Sequence, residues 1–274
     1  MAASLLDRTR LVAVVCAVLL CGCGDLSASG TFEPARPQTL TVVTEPLPTD
    51  GFWEGSDDRP TGGLEFAMAR ELAHRLGLER VEVRTAAFSR IVSGHLDGAD
   101  VALAQLTPTE GRDRVLDFST PYIHASPALV TQAGIEIPDV QTAQGMRFAT
   151  QANTTLEEIV ADVIRPDRSP LRYERQADKL DAIRSGRADV GLFDLPVAEA
   201  IVHADPRLSV AAKLTMTEPI AAALPEGSRN VEAVSAALRA MEADGSLDRL
   251  AERWLGTSLT DSENRVPLLR TGDR

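Results

Sequence analysis

Residues 105–122 read QLTPTEGRDRVLDFSTPY, and this stretch decides how the rest of the chain is interpreted. It directly follows a short apolar run that is typical of a buried β-strand. Thr107, Thr109 and Arg112 then fall in a loop that also supplies backbone N–H groups. An arginine has five donors in fixed positions, and beside hydroxyls and amides it can bind a carboxylate. A surface ion pair between Arg112 and the neighbouring Glu110 or Asp113 is the alternative.

Outward from this loop, short β-rich runs alternate with amphipathic helices from Thr39 onward. Residues 63–76, for example, place apolar side chains at close to helical spacing, and Gly77 ends that helix. Such alternation favours mostly parallel sheets covered by helices. It occurs in two successive series, and extended segments near residues 125–130 and 217–221 pass between them. The sequence therefore predicts an α/β fold with two lobes and a double crossing.

The same pattern sets the boundaries of the lobes. We assign residues 39–125 and 219–258 to lobe 1 and residues 126–218 to lobe 2. Residues 259–274 are interpreted as a polar C-terminal tail without regular structure. Lobe 1 is thus completed by chain that returns from lobe 2, whereas lobe 2 is one continuous stretch.

The first 30 residues resemble a secretory leader. A basic patch precedes an apolar run at residues 11–20, which is too short to span a hydrocarbon core. The letters LCGC at residues 20–23 resemble a bacterial lipobox, where a peptidase cuts before a cysteine that is then acylated. We expect residues 1–22 to be a lipoprotein signal peptide, Cys23 to carry the lipid and residues 23–38 to be a flexible tether. The mature protein would then lie outside the cytoplasm, anchored to the membrane on its periplasmic or outer face.

Composition and charge exclude several functional classes. The 274 residues are 44% hydrophobic and carry a formal charge of −12, so the chain is globular and acidic. With only 7 Phe, 2 Trp and 2 Tyr it offers few stacking platforms, and we expect no nucleic-acid partner. All 3 cysteines precede residue 24 and the 4 histidines are scattered, so neither a metal site nor a cofactor is expected. No catalytic motif is present, and we predict no catalytic residues.

A second candidate site for an anion lies at residues 151–158, which read QANTTLEE. This stretch follows a strand and begins a helix, and either Thr154 or Thr155 can form a capping box with the glutamate three residues later. Helix N-termini accept anions because their N–H groups are unpaired, although a plain cap is the alternative. Asn153 can adopt a positive φ at low cost in the preceding turn, and we include it among the ligand-binding candidates.

A third feature is the strand at residues 188–194, which is apolar on both faces and ends in Asp194. The carboxyl edge of a parallel sheet is where open α/β folds bind ligands. Asp194 is therefore a candidate acceptor for an ammonium group, and capping of the following helix is the alternative.

These stretches, in this order, resemble the family 3 extracellular solute-binding proteins, the polar amino-acid receptors of ABC importers. The family pattern T-x-T-x-x-R-x-x-x-x-x-F-S-x-P-Y matches residues 107–122, and Q-A-G-T-T matches residues 151–155 with Asn153 in place of glycine. The pattern G-x-x-D-x-x-x-x-D matches residues 186–194, and P-I-x-x-A-L-P-x-G-S through W-L-G matches residues 219–256. The resemblance covers nearly the whole body of the chain.

The resemblance implies a Venus-flytrap protein with the two-lobe, type II periplasmic-binding-protein fold and two crossing hinge strands. By that similarity Arg112, Thr107 and the amide of Thr155 would hold the α-carboxylate of an amino acid. Asp194 would hold the α-ammonium, with help from the backbone carbonyl of Gln105. A ligand gripped in this way touches both lobes only when they close, which gives the closed state its advantage.

Other cleft residues follow from the same resemblance. Phe88 is interpreted as one aromatic wall, and Phe52 or Trp53 as a substitute for the aromatic residue of the family's first loop; core packing is the alternative. Glu45 stands where some relatives place an acid that meets a cationic side chain, which hints at arginine, lysine or ornithine. A hydrogen-bonded loop acid is the alternative for Glu45. Gln151 is interpreted as a contact for a side-chain amide or carboxylate.

The resulting hypothesis is a monomeric substrate-binding lipoprotein that delivers a polar or charged amino acid to an ABC permease without catalysis. A dehydratase acting on cyclic carboxylates is one rival; it would keep Arg112 but need a placed acid or base. A sensory module is the other rival, and its ligand pocket would look the same. Such modules usually continue into a transmembrane segment, and because none follows Trp254 this form would act through a partner.

Overall fold

The computed structural model describes residues 31–259 and 265–270, so the predicted signal peptide and Cys23 lie outside the described residues. The strands are β1 (Thr39–Thr44), β2 (Glu54–Ser56), β3 (Arg59–Gly62), β4 (Arg80–Thr85), β5 (Val101–Leu106), β6 (Leu116–Phe118), β7 (Ile123–Ala125), β8 (Pro127–Gln132), β9 (Phe148–Gln151), β10 (Leu171–Tyr173), β11 (Val190–Asp194), β12 (Leu208–Lys213) and β13 (Glu218–Pro225). The helices are α1 (Leu64–Arg75), α2 (Phe88–Val92), α3 (Val140–Gln144), α4 (Thr155–Ile159), α5 (Gln176–Arg184), α6 (Leu195–Ala204), α7 (Val231–Ala243) and α8 (Ser246–Leu255). Within these ranges, no helix combines the length and the apolar character that crossing a bilayer requires.

The strands form two main sheets, one in each lobe. The sheet of lobe 1 has the order β4-β1-β5-β13-β6, and β7 pairs with β13; the sheet of lobe 2 has the order β10-β9-β11-β8-β12. The chain crosses from lobe 1 to lobe 2 between β7 and β8, and it returns between β12 and β13. This arrangement confirms the predicted α/β fold with two lobes and two crossing hinge strands.

Both sheets are mixed, whereas the alternating pattern favoured mostly parallel ones. β1, β4 and β5 run parallel, as do β9, β10 and β11, but β13 and β8 run antiparallel to all their neighbours. The reason is the double crossing, because β8 and β13 each enter their sheet from the opposite lobe. At the hinge β7 pairs with β13 in the register Glu218 to Ala125, so the crossing segments support each other.

Helix α1 shows how the sequence builds the core of lobe 1. Leu64, Met68 and Leu72 recur at intervals of four residues and are fully buried. Burial of one such side chain contributes about 1.5–3 kcal/mol. Before the helix, Gly63 has φ 104, and a Cβ there would lie 2.2 Å from the carbonyl oxygen of Phe52. Glycine is therefore required where this loop turns into α1.

The segment that we expected to be a flexible tether is held against lobe 1 where it is described. The N–H of Glu33 donates to Asn230 Oδ1 at 2.9 Å, and the N–H of Ala35 donates to Asp100 Oδ1 at 2.7 Å. Asp100 also accepts from the N–H of Thr41 in β1. The tether prediction is therefore wrong for residues 33–35, because two buried side chains of lobe 1 bind their backbone.

The C-terminal residues 265–270 were expected to lack structure, and here too the structure differs. Leu269 is buried in the core of lobe 2, and its N–H donates to the carbonyl of Lys213 in β12 at 2.8 Å. The expectation rested on the polar composition of the tail, but one apolar side chain is enough to dock it. The tail thus packs on lobe 2, whereas α8 before it packs on α1 and α7 of lobe 1.

Candidate functional site

A cavity of about 30 Å³ lies between the lobes, at the carboxyl ends of β5, β9 and β11. Eight of the residues predicted for the site line this cavity: Glu45, Phe88, Gln105, Thr107 and Arg112 from lobe 1, and Gln151, Thr155 and Asp194 from lobe 2. A space of this volume admits roughly one or two water molecules. An amino acid therefore enters only when the lobes move apart, and the structure is a closed form.

Hydrogen bonds across the cleft hold the lobes in this closed form. Arg112 Nη2 donates to the backbone carbonyl of Asn153 at 2.9 Å, and Gln151 Nε2 donates to Glu45 Oε2 at 2.9 Å. A third bond runs from Thr155 Oγ1 in α4 to Glu218 Oε2 in the hinge strand β13, at 2.7 Å. Five of the six residues in these bonds were predicted to bind the ligand, and Glu218 is the exception.

Arg112 begins a short 3-10 turn after the loop that follows β5. The residue is buried, and Nη1 donates to the carbonyl oxygen of Thr107 at 2.7 Å. Its guanidinium also lies 5.6 Å from the centre of the Phe88 ring, as a cation–π contact. Among the described residues these partners are uncharged and none is an acid within ion-pair distance, so the surface pair with Glu110 or Asp113 does not form. Burial lowers the pKa of Arg112, and the attraction of Glu158 and Glu218 acts in the opposite direction.

Asp194 ends β11 and occupies the N-cap position of α6, but its side chain makes no capping hydrogen bond. The Oδ1 atom is buried and has no hydrogen-bond partner among the described residues. Burial raises the pKa of Asp194 to about 7, and nearby Glu218 raises it further while Lys179 lowers it. Buried polar atoms are nearly always paired, so this oxygen is an acceptor without its donor. The capping alternative does not account for Asp194.

Glu45 lies after β1 and is buried at the lobe 1 side of the cavity. Burial raises its pKa to about 7, and the hydrogen bond from Gln151 acts in the opposite direction. The geometry matches the alternative reading of Glu45 as a hydrogen-bonded acid. In the closed form Glu45 and Gln151 are partners of each other, so a ligand that contacts either one must compete with this bond.

The loop after β5 is held by a glutamate that sequence reasoning missed. Gln105 has φ 48, a left-handed conformation that is uncommon for residues other than glycine. Its N–H donates to Glu65 Oε1 at 3.0 Å, and its side-chain amide donates to Glu65 Oε2 at 2.6 Å. The hydroxyl of Tyr122 and the indole N–H of Trp53 also donate to Glu65. The sequence could have indicated that Glu65 is buried, because it lies three residues before Met68 and therefore on the same, apolar face of α1.

The two aromatic residues predicted to line the cleft, Phe88 and Phe52, lie in different places. Phe88 lines the cavity, but Phe52 is fully buried in the core of lobe 1 and does not reach it. The carbonyl of Phe52 accepts from the N–H of Glu65 at 3.1 Å, which ties this residue under the first turn of α1. Phe52 therefore takes the core-packing alternative, as does Trp53.

The N-terminus of α4 is formed as one of the two predicted capping boxes. Thr154 Oγ1 accepts from the N–H of Glu157 at 3.1 Å, and Glu157 Oε2 accepts from the N–H of Asn153 at 3.0 Å. Asn153 has φ 65, the positive value that the turn was predicted to need. Its side chain is not part of the cavity lining, and it contributes through its carbonyl oxygen instead. The cap sets the position of Thr155, which lines the cavity.

Lys179 is the second residue that sequence reasoning missed. It lies on α5, lines the cavity and is only 2% exposed. Its Nζ donates to the carbonyl of Leu192 at 3.0 Å and lies 3.6 Å from the centre of the Phe193 ring. Burial lowers the pKa of Lys179 to about 8. The signal in the sequence is its position four residues before the buried Ile183, on the apolar face of α5.

Comparison with known proteins agrees with this geometry. Residues 41–257 match the model of the bacterial extracellular solute-binding proteins, family 3. The chain belongs to this family. Its relatives and structural neighbours of known function include amino-acid-binding proteins of ABC transporters.

Two relatives and one solved structure show how similar this chain is to known proteins. It is 28% identical over 259 residues to the membrane-bound lytic murein transglycosylase F of Ectopseudomonas mendocina, covering 90% of this chain but only 52% of that protein. It is 26% identical over 268 residues to the L-cystine-binding protein TcyJ of Escherichia coli, covering 93% of this chain and 98% of that protein. An ancestral arginine-binding protein bound to arginine superposes with a TM-score of 0.68 at 26% identity, covering 79% of this chain and 98% of that one.

Metal binding has no support from the described part of this family 3 chain. Over residues 31–259 and 265–270, no group of three or more His, Cys, Asp or Glu side chains is placed to hold a metal ion.

Proposed function

We propose that this protein binds a polar amino acid between its lobes and presents it to the permease of an ABC importer. The observation that carries the proposal is a pair of buried, opposite charges on the two sides of one cavity. The Arg112 guanidinium of lobe 1 donates to the backbone carbonyls of Thr107 and Asn153 and not to an acid, and Oδ1 of Asp194 in lobe 2 has no hydrogen-bond partner among the described residues. A zwitterion supplies both missing partners at once.

In this account the α-carboxylate binds to Arg112, the hydroxyl of Thr107 and the amide of Thr155. The α-ammonium donates to Asp194 and to the backbone carbonyl of Gln105. Each hydrogen bond to a charged group contributes about 1.5–3 kcal/mol when water is excluded. Because Arg112 and Asp194 belong to different lobes, both sets of bonds form only when the lobes close around the ligand.

When the lobes close without a ligand, the hydrogen bonds of Arg112 go to neutral partners and are weaker than bonds to a carboxylate. Arg112 then donates to the carbonyl of Asn153, and a buried oxygen of Asp194 stays unpaired. A bound zwitterion replaces these by two charge-assisted contacts, so it shifts the population toward closure. The permease would distinguish the loaded protein from the empty one by this difference.

The cellular location is part of the proposal. The leader at residues 1–22 and the lipobox cysteine Cys23 support secretion and acylation, since acyl chains contribute about 0.8 kcal/mol per buried methylene to membrane binding. The protein would then act as a monomeric lipoprotein on the outer side of the cytoplasmic membrane. Labelling with a fatty-acid analogue tests this part, because Cys23→Ser should abolish the label.

A second candidate function is an enzyme on the same fold that acts on a cyclic carboxylate. One observation favours it, because burial raises the pKa values of Glu45 and Asp194 to about 7. Carboxyl groups that titrate near neutral pH suit general acid–base catalysis. An enzyme would convert its ligand, whereas a receptor returns it unchanged.

The test is a thermal-shift screen of the twenty amino acids with ornithine and cystine, followed by calorimetric titration of those that stabilise the protein. The ligand is then recovered and analysed by mass spectrometry. We expect at least one polar amino acid to bind with one-to-one stoichiometry and to be recovered intact. Arg112→Ala should lose the binding, and the exposed Arg239→Ala should retain it as the matched control. Absence of binding by every amino acid contradicts the proposal, and conversion of a cyclic carboxylate favours the enzyme.

A further inference from the structure

Lys179 is the cation of the cavity that the proposed contacts with the α-carboxylate and the α-ammonium do not use. The sequence holds 28 basic residues, and only two of them, Lys179 and Lys213, are lysines. Lys179 is one of the largest fully buried side chains of the protein. Buried lysines are rare because removing an ammonium group from water is costly, so its presence in the cleft requires an explanation.

Helix α5 packs against β11 near Gly191. A Cβ on Gly191 would lie 2.8 Å from Ile183 Cδ1, so the end of the Ile183 side chain would have to shift to make room for it. Lys179 then reaches the end of β11, where the carbonyl of Leu192 accepts from Nζ and the ring of Phe193 lies beneath it. The ammonium is thus anchored two residues before Asp194.

One hydrogen bond leaves this ammonium with further donor capacity. An ammonium group has three N–H donors, and the bond to Leu192 uses one of them. Asp194 and Glu45 are the two carboxyl groups whose attraction raises the pKa of Lys179, against the lowering that burial causes. Lys179 therefore acts electrostatically on both acids of the cavity.

The charges that line the cavity balance without a ligand. They are two cations and two carboxyl groups: Arg112, Lys179, Glu45 and Asp194. Glu218 is half-buried beside Thr155 and is outside the lining. A zwitterion with an uncharged side chain keeps the formal sum at zero. A cationic amino acid adds one positive charge to a cavity whose lining already holds the two cations Arg112 and Lys179.

We propose that Lys179 makes the cleft select amino acids of zero net charge, with an uncharged polar side chain, over cationic ones. This inference rests on the proposed function. The ammonium of Lys179 lines the same cavity as Glu45 and is attracted by it, so the side-chain cation of arginine, lysine or ornithine would meet a like charge there. Glu45 alone suggested a cationic ligand, whereas the presence of Lys179 in the same cavity favours an uncharged side chain.

The test is a calorimetric titration at pH 7.5 with L-glutamine and L-arginine as probes. Wild-type protein should bind glutamine at least about tenfold more tightly than arginine, because a like charge in a buried site is costly. Lys179→Met keeps the length of the side chain and removes its charge, and it should shift the ratio toward arginine by roughly tenfold or more. Lys213→Met removes the other lysine, away from the cavity, and should leave the ratio unchanged.

The proposal is overturned if the wild-type protein binds arginine as tightly as glutamine, or if Lys179→Met leaves the ratio within about twofold of the wild-type value. The wild-type comparison decides even when Lys179→Met fails to fold. Failure of the proposed function is a different result, in which the wild-type protein binds no amino acid at all.

Discussion

Glu65 and Asp194 are both buried carboxyl groups near the cleft, but their surroundings differ. Glu65 accepts hydrogen bonds from Trp53, Tyr122 and both the backbone and side-chain amides of Gln105. Asp194 has a buried oxygen with no partner among the described residues. Burial raises both pKa values, although the bonds to Glu65 oppose that rise.

This difference teaches how to separate a structural charge from a binding one. A buried acid with all its donors in place belongs to the scaffold, and its removal leaves those donors unpaired. A buried acid that lacks a donor lowers stability and persists because something outside the chain completes it. Glu65 holds the loop of lobe 1 that carries Gln105, and Asp194 in lobe 2 is the acid that we propose binds the ammonium group of the ligand.

The largest expected effect concerns Glu65. Glu65→Ala leaves the donors of Trp53, Tyr122 and Gln105 unpaired in the core, and we expect it to destabilise the protein by at least about 3 kcal/mol. For a chain of this size, that lowers the melting temperature by roughly 6–12 °C. Differential scanning calorimetry of the variant measures the change. A loss below about 1 kcal/mol would mean that Glu65 is not the structural acid of the pair.

Arg112→Ala should produce the next largest effect, and it should appear in binding. Loss of the guanidinium removes charge-assisted bonds to the ligand carboxylate, so we expect affinity to fall by at least about 100-fold, or roughly 3 kcal/mol. The empty protein should melt within about 2 °C of wild type, because the partners of Arg112 in it are uncharged carbonyls. A large loss of stability with little change in affinity would assign Arg112 to the scaffold.

Asp194→Asn sharpens the comparison because it should act on binding and stability in opposite directions. We expect the affinity for the amino acid to fall by roughly 30-fold or more. A carboxylic acid that matches this ligand but lacks its amino group should bind as tightly as it does to the wild-type protein. At pH 8 the variant should melt at the same temperature as wild type or higher, because the amide avoids the cost of a buried ionised carboxylate. Equal losses for both ligands, or a strong destabilisation at pH 8, would refute the ammonium role.

The smallest effect is a pH dependence of affinity. The pKa of Asp194 is raised to about 7 in the empty protein, so below that pH its carboxyl is mostly protonated, and the ligand ammonium must displace the proton. Affinity should therefore fall by up to about tenfold per unit as the pH drops from 7 to 5.5. Glu45 titrates in the same range, so titrations of Asp194→Asn and Glu45→Gln serve as controls. The slope should persist in Glu45→Gln and vanish in Asp194→Asn, and the reverse would assign it to Glu45.

Much of the fold and many of the residues that line the cavity could be predicted from the sequence. The stretches at residues 105–122, 151–155 and 186–194 meet at one cavity because each includes the carboxyl end of a strand, and the carboxyl ends of β5, β9 and β11 converge there. Local pattern also indicated the positive φ of Asn153 and the crossing strands. These features depend on neighbours in sequence, which a single chain reveals.

Other features depend on contacts between distant segments. Lys179 is buried because α5 packs closely on Gly191, and Glu65 is satisfied by donors that lie 12 to 57 residues away in sequence. Phe52 turns to the core because its backbone is bound under α1. Leu269 holds the C-terminal residues against lobe 2, although their composition predicted a polar tail without structure. In each case the deciding partner lies in another element, so spacing within one segment could not give the answer.

The most direct test of the central claim is a crystal structure of the protein with its amino acid bound. We predict that a carboxylate oxygen lies within about 3 Å of the Arg112 guanidinium and that the α-nitrogen lies within about 3 Å of Asp194 Oδ1, with both lobes in contact with the ligand. A ligand bound outside the cleft would contradict this account. So would a reversed orientation, with the α-carboxylate on Lys179 and the ammonium directed away from Asp194.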